Sequence, residues 1–206
     1  MTFPNLNQMK KSFFAICLLI SISSIAQSKT ETAVPKELIT NDSTYWTIST
    51  VSTINYVNTT SGPYYGTTVN GGGMIVKIKF LPNNRFRFQL YVQANSYNIR
   101  SETWTEVEGS VSFTKDAKGQ NVFITKAEKG IYRINNNGKI TNRAITDAEL
   151  KDTHSTTYLW EKTMLKDDPK NVYLLVIDME KHPNADANNP KTIDPSWISK
   201  FHIPAN

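Results

Sequence analysis

Three histidines, His154, His182 and His202, are the side chains best suited to ligate a metal or move a proton near neutral pH. Each stands in or beside an expected loop or chain end, and no two share the spacing that would aim them together from one helix or strand. They read as solvated loop histidines, and no metal site is expected. Asn184-Ala185-Asp186-Ala187-Asn188 sets side-chain oxygens at alternate positions, as the start of a calcium loop does. Its sixth position is Asn189 where a glycine is needed, and its twelfth is Pro195 where a glutamate should close the site. This is a turn-rich loop. Gly71-Gly72-Gly73 opens a strand, so it cannot seat a phosphate on a helix N-terminus; it reads as a flexible start or a bulge. No Gly-x-Ser-x-Gly elbow is present, and the one cysteine is Cys17. Neither an enzyme nor a cofactor is expected.

Aromatic and charged residues offer binding rather than catalysis. Trp104 shares a strand face with Arg100, Glu102 and Glu106. If that face points inward, Arg100 is placed to take a ligand carboxylate; if outward, Trp104 is an aromatic platform. Closure of the sheet favours inward. Lys77, Lys79, Arg85 and Arg87 make a basic stripe, which reads as a solvated face or as an attraction for an anionic surface. Arg85-Phe86-Arg87-Phe88 faintly echoes an RNA-stacking strand, but alternation buries both phenylalanines, so no nucleic acid is expected.

What must hold these residues is a set of hairpins. In Gly71–Gln93, Met74, Val76, Ile78 and Phe80 share one face, and so do Phe86, Phe88, Leu90 and Val92. A period of two is the strand period. Leu81-Pro82-Asn83-Asn84 between the runs supplies turn chemistry. Tyr45–Val57 predicts a first strand, Asn58–Gly73 a loop, and Ile99–Glu108, Gly109–Thr114, Gln120–Lys126 and Gly130–Ile134 further strands. Asn135-Asn136-Asn137-Gly138 is a strong hairpin signal. Thr146-Asp147-Ala148-Glu149 matches a capping box and predicts a short helix over Asp147–Asp152. Strands resume at Ser155–Thr163 and Asn171–Asp178. Val172–Ile177 is apolar on both faces and should be covered on both sides. Asp194-Pro195-Ser196-Trp197 predicts one more helical turn, with Trp197, Ile198 and Phe201 docking on the body. About eight to ten strands with one or two short helices mean an all-β, antiparallel, up-and-down barrel.

The start of the chain reads as an export signal. Lys10 and Lys11 precede the apolar run Phe13–Ile25, and Ser24-Ile25-Ala26 offers cleavage before Gln27. The run is short for a membrane span, so residues 1–26 are expected to be removed without stable membrane insertion, and Cys17 with them. The protein would then be periplasmic or extracellular. Residues 27–42 are polar and read as a leader, and residues 43–206 as one barrel domain with a C-terminal docking segment. The formal net charge of +5 includes Lys10 and Lys11, so what remains is a mild lysine excess. Nothing in the sequence sets an oligomeric state.

The export signal and four stretches carry a resemblance: Tyr45-Trp46-Thr47; Gln89–Gln93 leading to Glu102-Thr103-Trp104; Asn142-Arg143-Ala144-Ile145-Thr146-Asp147-Ala148-Glu149-Leu150; and Tyr158-Leu159-Trp160. Over roughly Tyr45–Asp178 the chain resembles the secreted lipocalin-like, calycin-type barrel proteins of Gram-negative envelopes. Thr44 stands where lipocalins proper carry glycine, and Asn171–Asp178 supplies no arginine for the tryptophan of the first strand. The resemblance implies a barrel carrying a small, mostly apolar ligand. Trp46, Phe88, Leu90 and Tyr158 would line it, Trp104 would form wall, Arg100 would meet a carboxylate, and Tyr64 and Tyr65 would rim the entrance. The alternative is a surface or carbohydrate-binding module with a solid core, using aromatics such as Tyr64, Tyr65 and Tyr97.

Overall fold

The computed structural model describes residues 33–57, 67–96 and 99–205. Residues 1–26, with the expected signal and Cys17, lie outside them, as do Tyr64, Tyr65 and Tyr97. Among the described residues nine antiparallel strands follow in order: β1 (Trp46–Val57), β2 (Thr67–Leu81), β3 (Arg85–Ser96), β4 (Ile99–Lys115), β5 (Asn121–Asn136), β6 (Lys139–Ala144), β7 (Thr157–Leu165), β8 (Asp168–Asp178) and β9 (Ser199–Pro204). One helix, α1 (Asp147–His154), separates β6 from β7.

Eight strands close a ring in the order β1, β2, β3, β4, β5, β7, β8, β9. The ring shuts where β9 meets β1, at Thr47 opposite His202. The C-terminal segment supplies a wall strand, with Asn171–Val176 of β8 paired to it along six residues. Local chemistry sets the hairpins as anticipated. Asn83 and Asn84 take φ of 67° and 58° between β2 and β3, and Asn137 and Gly138 take 49° and 87° between β5 and β6. Asparagine and glycine tolerate that left-handed backbone best. Gly71–Gly73 is neither a bulge nor a loose start: it pairs in register with Ser52, Thr53 and Val51 on one side and with Gln93–Asn95 on the other.

Strand β5 changes partner along its length. Val122–Ile124 pairs with β7, whereas Ile131–Asn136 pairs with β6, which lies outside the ring. Between these stretches β4 and β5 slip by one residue: Glu108 faces Lys129 and Gly109 faces Ala127, so Glu128 has no opposite number. Such a bulge bends the strand. The bend leaves room for Ile145, whose Cδ1 would lie 2.6 Å from a Cβ added at Gly130. The link then enters α1, whose capping box is complete: the amide of Glu149 donates to Thr146 Oγ1, and the Thr146 amide donates to Glu149 Oε2 at 2.9 Å. Leu150 is buried in the main core, which turns the next residue on that face, His154, toward the ring.

The core fills one end of the barrel. Leu38, Trp46 and Phe80 are fully buried, and Phe80 meets Phe113 and Phe123 edge-on with centroids 5.3 and 5.4 Å apart. Residues 33–42, the described part of the expected leader, contribute to this floor. Val34 and Leu38 are buried, and Lys36–Leu38 forms a 3₁₀ turn beneath the strands. A second cluster lies outside the wall, where Ile193, Trp197 and Ile198 pack on Val122, Leu159 and Ile177. That packing covers the outer face of β8 at Ile177, the C-terminal end of its two-sided apolar run.

Candidate functional site

Above the floor the barrel encloses a cavity of about 320 Å³. Val76, Ile78, Phe86 and Phe88 line it from β2 and β3, and Tyr158, Leu174, Val176 and Phe201 from β7, β8 and β9. These strands stand on opposite sides of the ring, so the space is interior. Its base is apolar. Its opening is bordered by His154, Asp178, Lys181, His182, Ser196 and Trp197. A concave apolar space with a few convergent polar groups is the usual form of a small-molecule site.

Each polar side chain there is held by its surroundings. His154 lies 5.6 Å from Phe88 between ring centroids, and burial pushes its pKa down while the Glu149 charge pulls it up. His182 stacks flat on Trp197, centroids 4.4 Å apart at 11°. Tyr158 packs 4.9 Å from Phe123. Its phenol is pushed up to about 12, by burial first and then by the charges of Asp178 and Glu180. Thr125 is fully engaged: its hydroxyl donates toward the carbonyls of His154 and Thr156 and accepts from the Thr156 amide at 3.2 Å. Lys181 pairs with Asp178 at 3.2 Å, with its own side chain 76% exposed.

Of the residues anticipated from sequence, Tyr158 and Phe88 line the cavity. Trp46 does not; it lies in the sealed floor, donating its indole N–H to the Leu38 carbonyl at 3.0 Å. Trp104 and Arg100 are on the opposite, outer face of the sheet, in antiphase with the core residue Val107 on the same strand. There Trp104 meets Tyr91 at 5.1 Å and lies 5.6 Å beneath the Arg133 guanidinium. Arg100 is bound to Glu102 at 2.6 Å, and Glu102 also accepts from Tyr91 and Asn135. Arg100 therefore cannot receive a carboxylate inside the barrel. A shallow outer cleft of about 300 Å³ adjoins this group, lined by Ile75, Lys77, Gln89, Tyr91, Trp104 and Glu106.

The basic stripe is largely spent on internal partners. Arg85 pairs with Glu128 and Arg87 with Glu108, while buried Lys79 donates to the carbonyls of Asn41 and Asp42. His154 and His182 are the site residues that the sequence reading missed. His202 is elsewhere, 5.8 Å from Tyr173. Asp186, in the calcium-like stretch, is paired with Lys118 at 2.9 Å. Among the described residues no cluster of three or more His, Cys, Asp or Glu is arranged to hold a metal ion, and no helix is long and apolar enough to cross a membrane.

No protein-family model matches this chain, and neither does any curated protein or solved structure.

Proposed function

We propose that this protein is an exported, lipocalin-like binding protein that carries a small, mostly apolar molecule inside its barrel. The observation behind this reading is the interior cavity of about 320 Å³, apolar at its base and polar at its opening. Export rests on the basic and apolar pattern of residues 1–26. The size can be judged against an engineered cavity of about 150 Å³ that takes up benzene. Roughly twice that volume suits a molecule of one or two rings or a short chain.

A second reading, a surface module that binds glycans, is favoured by one observation: Trp104 and Tyr91 lie together on the outer face beside an open cleft. Native mass spectrometry of protein taken from its own envelope, followed by solvent extraction, separates the two. The carrier reading expects a reproducible apolar adduct that Val176→Phe abolishes by filling the cavity and that Trp104→Ala leaves in place. Loss of the adduct on Trp104→Ala alone, or glycan binding with no adduct, would favour the surface module instead.

A further inference from the structure

Building on the carrier reading, we infer that the barrel selects an uncharged, ring-bearing molecule with one hydroxyl or carbonyl group, and discriminates against carboxylates and long acyl chains. The argument starts from which polar groups of the cavity are still able to bond. Thr125 is saturated by backbone partners. The Tyr158 hydroxyl and the ring nitrogens of His154 and His182 have no hydrogen-bond partner among the described residues. A phenol hydroxyl can donate and accept, and an imidazole ring nitrogen can do one or the other, which suits a neutral hydroxyl or carbonyl.

A carboxylate would lack compensation in the same place. Lys181 is the only lysine or arginine among the described lining residues, and it is already paired with Asp178. Asp178 itself lines the cavity, and the Asp178 and Glu180 charges act on Tyr158. A buried charge without a partner is costly, so the ionised carboxylate of a ligand is turned away. Shape argues in the same direction. The floor is closed by Leu38, Trp46 and Phe80, all fully buried, so no channel continues beneath the cavity for a long chain. Phe86, Phe88, Phe123 and Tyr158 instead offer ring faces and edges to a compact aromatic or alicyclic body.

The test compares 2-naphthol, 2-naphthoate, naphthalene and hexadecanoate by calorimetric titration of the purified protein at pH 7.5. 2-Naphthol should bind about fivefold to tenfold more tightly than naphthalene, the worth of one satisfied hydrogen bond. Both acids should bind more weakly than naphthalene. Tyr158→Phe should erase the advantage of 2-naphthol while leaving naphthalene affinity unchanged, a split that general loosening of the fold would not produce. Equal or tighter binding of 2-naphthoate or hexadecanoate would overturn this selectivity while leaving the carrier reading intact. No binding of any of the four would overturn the carrier reading as well.

Discussion

Trp46 donates its indole N–H to the backbone carbonyl of Leu38 at 3.0 Å, and both side chains are fully sealed from solvent. This bond ties the segment before β1 to the barrel floor and makes residues 34–38 part of the fold. Lys162 adds a second tie, donating to the Glu37 carbonyl at 3.0 Å.

Removing the Leu38 side chain should therefore act as a core truncation. Leu38→Ala is expected to cost about 2–5 kcal/mol, the range for large-to-small changes in a packed interior. Lys36→Ala, on an exposed neighbour, should stay within about 0.5 kcal/mol. Urea denaturation measures both, and equal small effects would mean that this segment is not docked.

The strand register makes a paired prediction on β2 and β3. Phe80→Ala should cost about 3–5 kcal/mol, since Phe80 is fully buried against Phe113 and Phe123. Arg87→Ala should cost about 1 kcal/mol or less, because its bond to Glu108 is 42% exposed on the arginine side. A slip of one residue would exchange the two faces and reverse the order.

Glu149 gives a pH dependence of definite sign. Its carboxyl is lowered to about 2, first by the Arg143 guanidinium and then by the amide and hydroxyl of Thr146. A depressed carboxylate stabilises the fold fully above its unfolded value of about 4.3 and loses that contribution as pH falls toward 2. Melting midpoints of the wild type and Glu149→Gln should thus differ at pH 6 and converge by pH 2. A gap that persists undiminished at pH 2 would contradict the capping-box account of α1.

Gly130 stands just before β5 begins to pair with β6, and an added methyl would sit 2.6 Å from Ile145 Cδ1 and 2.8 Å from the Glu106 carbonyl oxygen. Gly130→Ala should destabilise by about 1–3 kcal/mol through overpacking. Amide exchange should rise first in α1 and β6, which that junction positions. Uniform exchange changes across the barrel would argue against a local role.

Much of this fold is legible from residues alone, because its turns are chemically marked. Pro82-Asn83-Asn84 and Asn137-Gly138 predict their hairpins, and Thr146 with Glu149 predicts α1. The two-sided apolar run of β8 predicts cover on its outer face, which Trp197 and Ile198 supply at Ile177. Which face of β4 points inward is harder, because alternation groups residues without giving the sign. The companions of Trp104 are the available clue: the carboxylates Glu102, Glu106 and Glu108 share its face, whereas Val107 alternates with them in the main core. Placing His154 needed helical spacing instead of loop composition. Leu150 is buried four residues earlier, so His154 follows it onto the inner side. Val34 and Leu38 carry the same spacing of four within a polar stretch.

The most direct test of the carrier account is to locate a bound probe. Crystals soaked in 2-bromonaphthalene should give an anomalous bromine peak inside the ring, in van der Waals contact with Phe88, Phe123 or Tyr158, and Val176→Phe should remove it. A peak found only on the outer face beside Tyr91 and Trp104, with none inside the barrel, would contradict the account.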